Sequence, residues 1–160
     1  MTNKKDINAG IIIIGNEILS GRTKDTNTST LAVWLNSLGI KVDEVRVIPD
    51  IEQTIIDTVN IFRKKFSYVF TSGGIGPTHD DITSSSISKA FKMKYGAHKE
   101  AFKILEKYYK PGEFNEGRQK MARMPIEASL ILNPTSGAPG FYVENVFCLP
   151  GVPSILKAML

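Results

Sequence analysis

Cysteine is almost missing from this chain. Cys148 is the only one in 160 residues, so no internal disulfide can form, and a small secreted scaffold stapled by bridges is excluded. Long apolar runs are missing too. The longest, Ile11 to Ile14, falls far short of the ~20 residues that a membrane helix needs. Met1 to Asp6 leads into a short strand rather than the apolar segment of a signal peptide. The two histidines, His79 and His98, are too far apart and unsupported to suggest a zinc site. There is no internal repeat, low-complexity tract or linker. With 42% hydrophobic and 22% charged residues the composition is that of an ordinary globular protein. One domain over residues 1–160, cytoplasmic and not membrane-bound, is the expectation.

Charge is uneven. The net +4 conceals a segment, Ser84 to Pro125, with ten basic and four acidic residues. Such a segment suits nucleic acid or a solvated helical face. The lysines are scattered with acids among them, which favours the solvated face. A middle reading is that one or two of these side chains reach a small anionic ligand.

Strand and helix signals alternate. Ala9 to Ile14 is a continuous apolar run suited to a strand buried on both faces. Asn27 is placed to cap a helix carrying Leu31, Trp34, Leu35 and Leu38, stopped by Gly39. Ile40 to Ile48 reads as a strand. Ile51, Ile55, Val59, Phe62 and Phe66 form one helical stripe. Tyr68 to Thr71 is a short strand entering a glycine-rich turn, and Asp81 to Phe91 is the helix after it. Two helices, about 97–109 and 116–124, flank Pro111-Gly112. A strand at Leu130 to Leu132 follows, then a β-hairpin of Phe141 to Val143 and Val146 to Leu149 around Glu144-Asn145, then a helix from Val152 in which the chain stops. Repeated strand–helix–strand units imply a mostly parallel sheet with helices on both faces. Ligands in such folds bind beyond the C-terminal strand ends, here the loops at 15–26, 49–50 and 72–81.

The stretch Ser72-Gly73-Gly74-Ile75-Gly76-Pro77-Thr78-His79-Asp80-Asp81 is the most informative. Its glycines permit a tight turn and close approach, and the following helix offers unpaired N–H groups, so it makes a phosphate cradle. Ser72 and Thr78 add hydroxyls. The glycine spacing fits neither G-x-G-x-x-G nor a Walker A loop, which excludes a P-loop nucleotidase and a standard dinucleotide fold. Asp80 and Asp81 would repel a phosphate unless a cation such as Mg²⁺ lies between them. Asp50, at the end of the preceding strand, should face the same crevice. Capping is the alternative for Asp81 and Asp50, and is compatible with ligand contact.

Other features divide more evenly. Glu17 can bind metal or a ligand hydroxyl, or accept loop amides. Asn27 is a helix cap or a ligand contact, with the cap favoured. Ser136 and Gly137 lie in a small-residue loop, Asn133 to Gly140, which spacing alone makes a surface turn; Pro150 and Gly151 precede a helix start. His79 sits in the main loop. Cys148 lies inside an apolar strand, as a packed thiol rather than a nucleophile.

Gly15-Asn16-Glu17-Ile18-Leu19-Ser20-Gly21, Thr26-Asn27, Asp50, Gly73-Gly74-Ile75-Gly76-Pro77-Thr78-x-Asp80-Asp81-Ile82-Thr83, Asn133-Pro134-x-x-Gly137-Ala138-Pro139-Gly140 and Leu149-Pro150-Gly151-Val152-Pro153 together resemble the molybdopterin-binding domain of the competence/damage-inducible protein A family. The chain is also similar to the molybdopterin-like domain of eukaryotic FAD synthase. The resemblance runs from about Ala9 to Leu160. It implies a three-layer α/β/α fold, as in molybdenum-cofactor biosynthesis proteins, with a small β-hairpin near the C-terminus. It implies that Asp50 and Asp81, with Glu17, serve catalysis. Asp50, Asp80 and Asp81 would hold Mg²⁺ or another divalent cation, with K⁺ as a further candidate. Asn27, Ser72, Gly73, Gly74, Gly76, Thr78, Ser136, Gly137, Pro150 and Gly151 would contact a phosphate-bearing pterin or nucleotide. It further implies pyrophosphatase activity on ADP-ribose, a homo-oligomer (dimer or trimer), and a frequent second domain that deamidates nicotinamide mononucleotide, which these residues do not encode. Ile155 after Pro153-Ser154, and Gly117 to Arg123 before Pro125, depart from the common pattern and resemble the stand-alone branch. The final helix suits a trimmed or shortened member.

Overall fold

A computed structural model describes residues 6–160; the Met1 to Lys5 part of the opening segment lies outside the described residues. Along the chain, β1 (Asn8–Ile14), α1 (Asn16–Leu19), α2 (Asn27–Ser37), β2 (Lys41–Ile48), α3 (Glu52–Lys65), β3 (Tyr68–Ser72) and α4 (Thr83–Ala90) come first. An excursion follows: β4 (Tyr95–Ala97), α5 (Lys99–Tyr108), α6 (Glu116–Lys120) and β5 (Arg123–Pro125). The chain then forms β6 (Ser129–Ile131), β7 (Gly140–Val143), β8 (Val146–Leu149) and α7 (Pro153–Met159).

Six strands form one sheet in the order β2-β1-β3-β8-β7-β6. β1 pairs parallel with β2 and β3, and β3 parallel with β8. β7 runs antiparallel to both β8 and β6. The expected three layers follow from the pleat, which sends successive side chains to opposite faces. Ile12 and Ile14 join the core under α3 and α4, whereas Ile11 and Ile13 join the one under α2 and α7. The four-isoleucine run is therefore a strand covered on both sides. Gly10 has a packing reason: a Cβ there would stand 2.5 Å from Phe66 and 2.6 Å from Phe62, whose rings lie against β1.

The hairpin turn at Glu144-Asn145 is present, with Glu144 at φ 51°. Asn145 does more than turn the chain. Its Nδ2 donates to the carbonyls of Arg63 (3.0 Å), Phe66 (3.1 Å) and Ser67 (3.3 Å), closing the C-terminal end of α3. Asn145→Ala leaves those carbonyls without that donor and is expected to cost about 1–3 kcal/mol in a denaturant titration.

Several sequence expectations are corrected. β4 and β5 pair as a separate antiparallel ribbon, where the pattern showed only helices. Each strand is three residues long, too short for alternation to show. The second helix of that stretch ends at Lys120, because Arg123–Pro125 is drawn into the ribbon. Asn27 is not the cap of α2: Thr26 holds that position, and the Asp25 carboxylate accepts from the Thr28 amide (3.2 Å) and hydroxyl (2.5 Å). Neither Asp50 nor Asp81 caps the helix that follows it, since the cap positions of α3 and α4 fall to Ile51 and Ile82 without side-chain hydrogen bonds. No helix of the described residues is long and apolar enough to cross a membrane.

Candidate functional site

Because β1, β2, β3 and β8 are parallel, the segments after Ile14, Ile48, Ser72 and Leu149 emerge along one edge of the sheet. β7 enters from the same edge, which brings the 132–139 loop beside them. The chemistry-bearing residues that are scattered in sequence thus meet at the C-terminal strand ends.

The glycine bend is fastened at its base. Gly73 donates to the Leu149 carbonyl (3.0 Å), Thr83 N–H to Gly74 O (2.9 Å), and Thr83 Oγ1 to Gly73 O (3.0 Å). Gly73 and Gly74 take φ of 105° and 77°, a region that side chains disfavour. The space is closed as well: a Cβ on Gly73 would lie 2.2 Å from Ile14 O, and one on Gly74 2.0 Å from Thr83 Oγ1. Among the described residues, the amides of Gly74, Ile75 and Gly76 find no backbone acceptor. A run of unpaired N–H groups at a strand–helix junction is what an oxyanion requires.

The acids surround this bend. The Asp81 carboxylate lies against Gly76, its Oδ2 2.9 Å from where a Cβ would be, and that oxygen accepts from the Thr78 amide (2.9 Å) and hydroxyl (2.8 Å). Asp81 is therefore the brace of its own turn while facing the glycines. Asp80 points outward, with its side chain 80% exposed and 3.4 Å from His79. Asp50 exchanges hydrogen bonds with Asn16: Asn16 N–H donates to Asp50 Oδ2 and Asp50 N–H to Asn16 Oδ1, both at 3.1 Å. Burial holds the Asp50 carboxyl above the ordinary carboxylate value. The Asn16 amide opposes that shift, and the negative charges of Glu17, Asp81 and Asp80 add to it. Four carboxylates thus share one field. Glu17 folds back over Gly15, Oε1 2.5 Å from the place of a Gly15 Cβ, and lines a recess of about 40 Å³ with Asn27, Asp25, Ser72 and Gly151.

Asn27 and Ser72 are buried. Asn27 Nδ2 donates to Ser72 Oγ and to Gly151 O, both at 2.9 Å, and Ser72 Oγ donates to Pro150 O at 3.1 Å. This polar rivet joins α2, β3 and the exit of β8 at the base of the bend. Asn27 Oδ1 is buried without a hydrogen-bond partner. Thr78 is exposed at the turn. The Ser136–Gly137 loop is bound to the protein itself. Asn133 Nδ2 donates to Ser136 Oγ (2.6 Å), and the Tyr108 ring covers Gly137, 2.6 Å from where a Cβ would be.

One residue of the site carried no mark of its own in the sequence. Lys120, on α6, reaches back to the bend, where its ammonium donates to Thr78 O and to Asp81 O (2.8 Å). Burial lowers its pKa, while Asp81 and Asp80 pull it up. The sequence hints were a basic segment from which some side chain could reach an anion, and the departure from the common pattern at Gly117 to Arg123. Cys148 is fully buried, and its thiol is pushed up to about 12 by desolvation, so it takes no part.

Among the described residues, no three His, Cys, Asp or Glu side chains form a ready metal cage. The donors suit Mg²⁺ all the same, since that ion takes hard oxygens, one or two carboxylates with the rest from phosphate and water. Asp50 and Asp81 would supply two such groups, near enough for the Asp81 charge to act on the Asp50 carboxyl.

Residues 10–160 match the family described as "Probable molybdopterin binding domain". A protein of Pyrobaculum calidifontis is 40% identical over 157 residues, covering 94% of this chain and 60% of its own length. The chain spans about 60% of the length of several curated relatives that it matches. Among solved structures, CinA of unknown function from Thermoplasma acidophilum superposes with a TM-score of 0.89 at 33% identity, over 98% of this chain and 95% of that one. The molybdopterin biosynthesis enzyme MoaB of Thermus thermophilus gives 0.65 at 16% identity, over 96% and 87%, and shares the fold.

Proposed function

The chain belongs to the molybdopterin-binding domain family, in its CinA-like branch, and on that premise we propose that it binds a phosphate-bearing nucleotide or pterin at the glycine bend and hydrolyses a pyrophosphate bond with a divalent cation. The observation that carries this reading is the row of unpaired amides at Gly74 to Gly76, facing a carboxylate pair that only a cation makes compatible with an anion.

The bend's N–H groups hold the non-bridging oxygens of one phosphate. Asp81, fixed by Thr78, and Asp50, fixed by Asn16, would hold Mg²⁺ or another divalent cation. When bound, that ion neutralises phosphate charge and lowers the pKa of a coordinated water. Glu17 stands at the mouth of the recess to orient water or a ribose hydroxyl, and the unpaired Asn27 Oδ1 makes the floor of that recess a place for a donor. The overall reaction adds a water oxygen to one phosphorus and breaks the bond from that phosphorus to the bridging oxygen, which leaves with the second phosphate, while a proton passes to solvent. From ADP-ribose the products are AMP and ribose 5-phosphate.

Incubation of the protein with ADP-ribose and Mg²⁺, followed by chromatography, is expected to show AMP that chelation abolishes. Tight binding without products would instead make this a ligand-holding module. Neither binding nor cleavage across nucleotide pyrophosphates and metals would sink the reading.

A further inference from the structure

Lys120 has more to offer than its two contacts. An ammonium carries three N–H donors, and two are held by Thr78 O and Asp81 O. The side chain also borders a cleft of about 220 Å³ lined by Ala97, Phe102, Glu116, Gln119 and Arg123. Arg123 enters no ion pair among the described residues. Its guanidinium lies 5.0 Å from the Tyr95 ring centroid, which orients the fork while leaving its edge free. Lys120 and Arg123 outnumber the one acid of the cleft, Glu116. The Gln119 carboxamide already donates to the Phe114 carbonyl at 2.9 Å, so the planar fork and the ammonium are the donors suited to a phosphate.

We propose that this cleft is a second anion subsite, contiguous with the glycine bend through Lys120, which receives a further phosphate of a ligand whose pyrophosphate rests on the bend. The inference depends on reading the bend as a phosphate cradle, and it makes molecules with a phosphate beyond the pyrophosphate bind more tightly than those, such as ADP-ribose, that carry the pyrophosphate alone. The ribbon that carries it, β4–β5, places Ala97 and Arg123 opposite each other, so the subsite exists only because the excursion folds back over the bend. Lys120 touches the Asp81 carbonyl and lies in the field of Asp80 and Asp81, so a divalent cation is needed for a polyanion to occupy both places.

Calorimetric titration of the whole chain in Mg²⁺ with inorganic pyrophosphate and inorganic triphosphate tests it. The wild type is expected to prefer triphosphate by about tenfold, and Arg123→Gln to reduce that ratio to about twofold or less. Lys99→Gln, outside the cleft, is expected to keep the preference. Equal affinity for the two anions in the wild type overturns the subsite and leaves the cradle standing. Parallel weakening of both anions in Arg123→Gln overturns it as well, because lost packing against Tyr95 would do that. Loss of the preference in Lys99→Gln assigns it to diffuse charge and overturns the subsite. Binding of neither anion overturns the subsite and the cradle together.

Discussion

Gly73→Ala is expected to lower stability by about 2–5 kcal/mol, a drop in Tm of roughly 5–20 °C, and to abolish phosphate binding. Two costs act together. The residue sits at φ 105°, which a side chain resists, and the added Cβ would meet the backbone oxygen of Ile14 at 2.2 Å. That oxygen belongs to the central strand and cannot move aside as a flexible side chain would. Gly21 separates the two costs. It also has a positive φ, 77°, but a Cβ there meets nothing within 4 Å. Gly21→Ala should therefore cost only the conformational part, about 1 kcal/mol. Thermal melts of the two variants side by side check the claim, and equal losses would show that the close approach to β1 is unimportant.

The second large effect is expected from Asp50→Asn, which should reduce turnover by about a hundredfold or more while raising the melting temperature. Burial and three neighbouring carboxylates hold the Asp50 carboxyl above its ordinary value. In the window between the ordinary and the raised value the folded protein keeps a proton that the unfolded chain has released. The fold is therefore favoured at the acidic side of that window and loses this contribution as pH rises through the raised value. An amide at position 50 removes the unfavourable charge and keeps an oxygen for the Asn16 amide. Cation binding runs the other way: it needs the carboxylate, so Mg²⁺ affinity should increase with pH across the same window. Melts and Mg²⁺ titrations between pH 4 and pH 7 (about the range in which carboxylates titrate) read both slopes. A variant that melts lower than the wild type at pH 7 would contradict the repulsion inferred for this cluster.

The legible part of the molecule is where local chemistry and burial agree. Ile11 to Ile14 reads as a two-faced strand because four β-branched residues in sequence fit little else, and the sheet covers them on both sides. The stripe from Ile55 through Val59 to Phe62 reads as a helix because its spacing matches the side that packs inward. The excursion was illegible. Tyr95–Ala97 and Arg123–Pro125 are too short to show a period, and each is a strand only because the other is beside it. Asn27 was misread for a related reason: an asparagine before a helix suits a cap, but Asp25 reaches the first turn and leaves Asn27 to the interior, where it holds Ser72 and Gly151.

By itself the sequence determined the alternation of strands and helices, the glycine bend with its adjoining aspartates, and the family to which they belong, since each of these is a pattern among near neighbours along the chain. Tertiary structure alone decided which groups share a field. Asp50 experiences Glu17, Asp80 and Asp81 because parallel strands deliver their C-terminal ends to one edge, and Lys120 reaches Thr78 and Asp81 because an excursion folds back over that edge. Electrostatic coupling depends on distance through space, and distance between residues far apart in sequence is fixed by packing rather than by order.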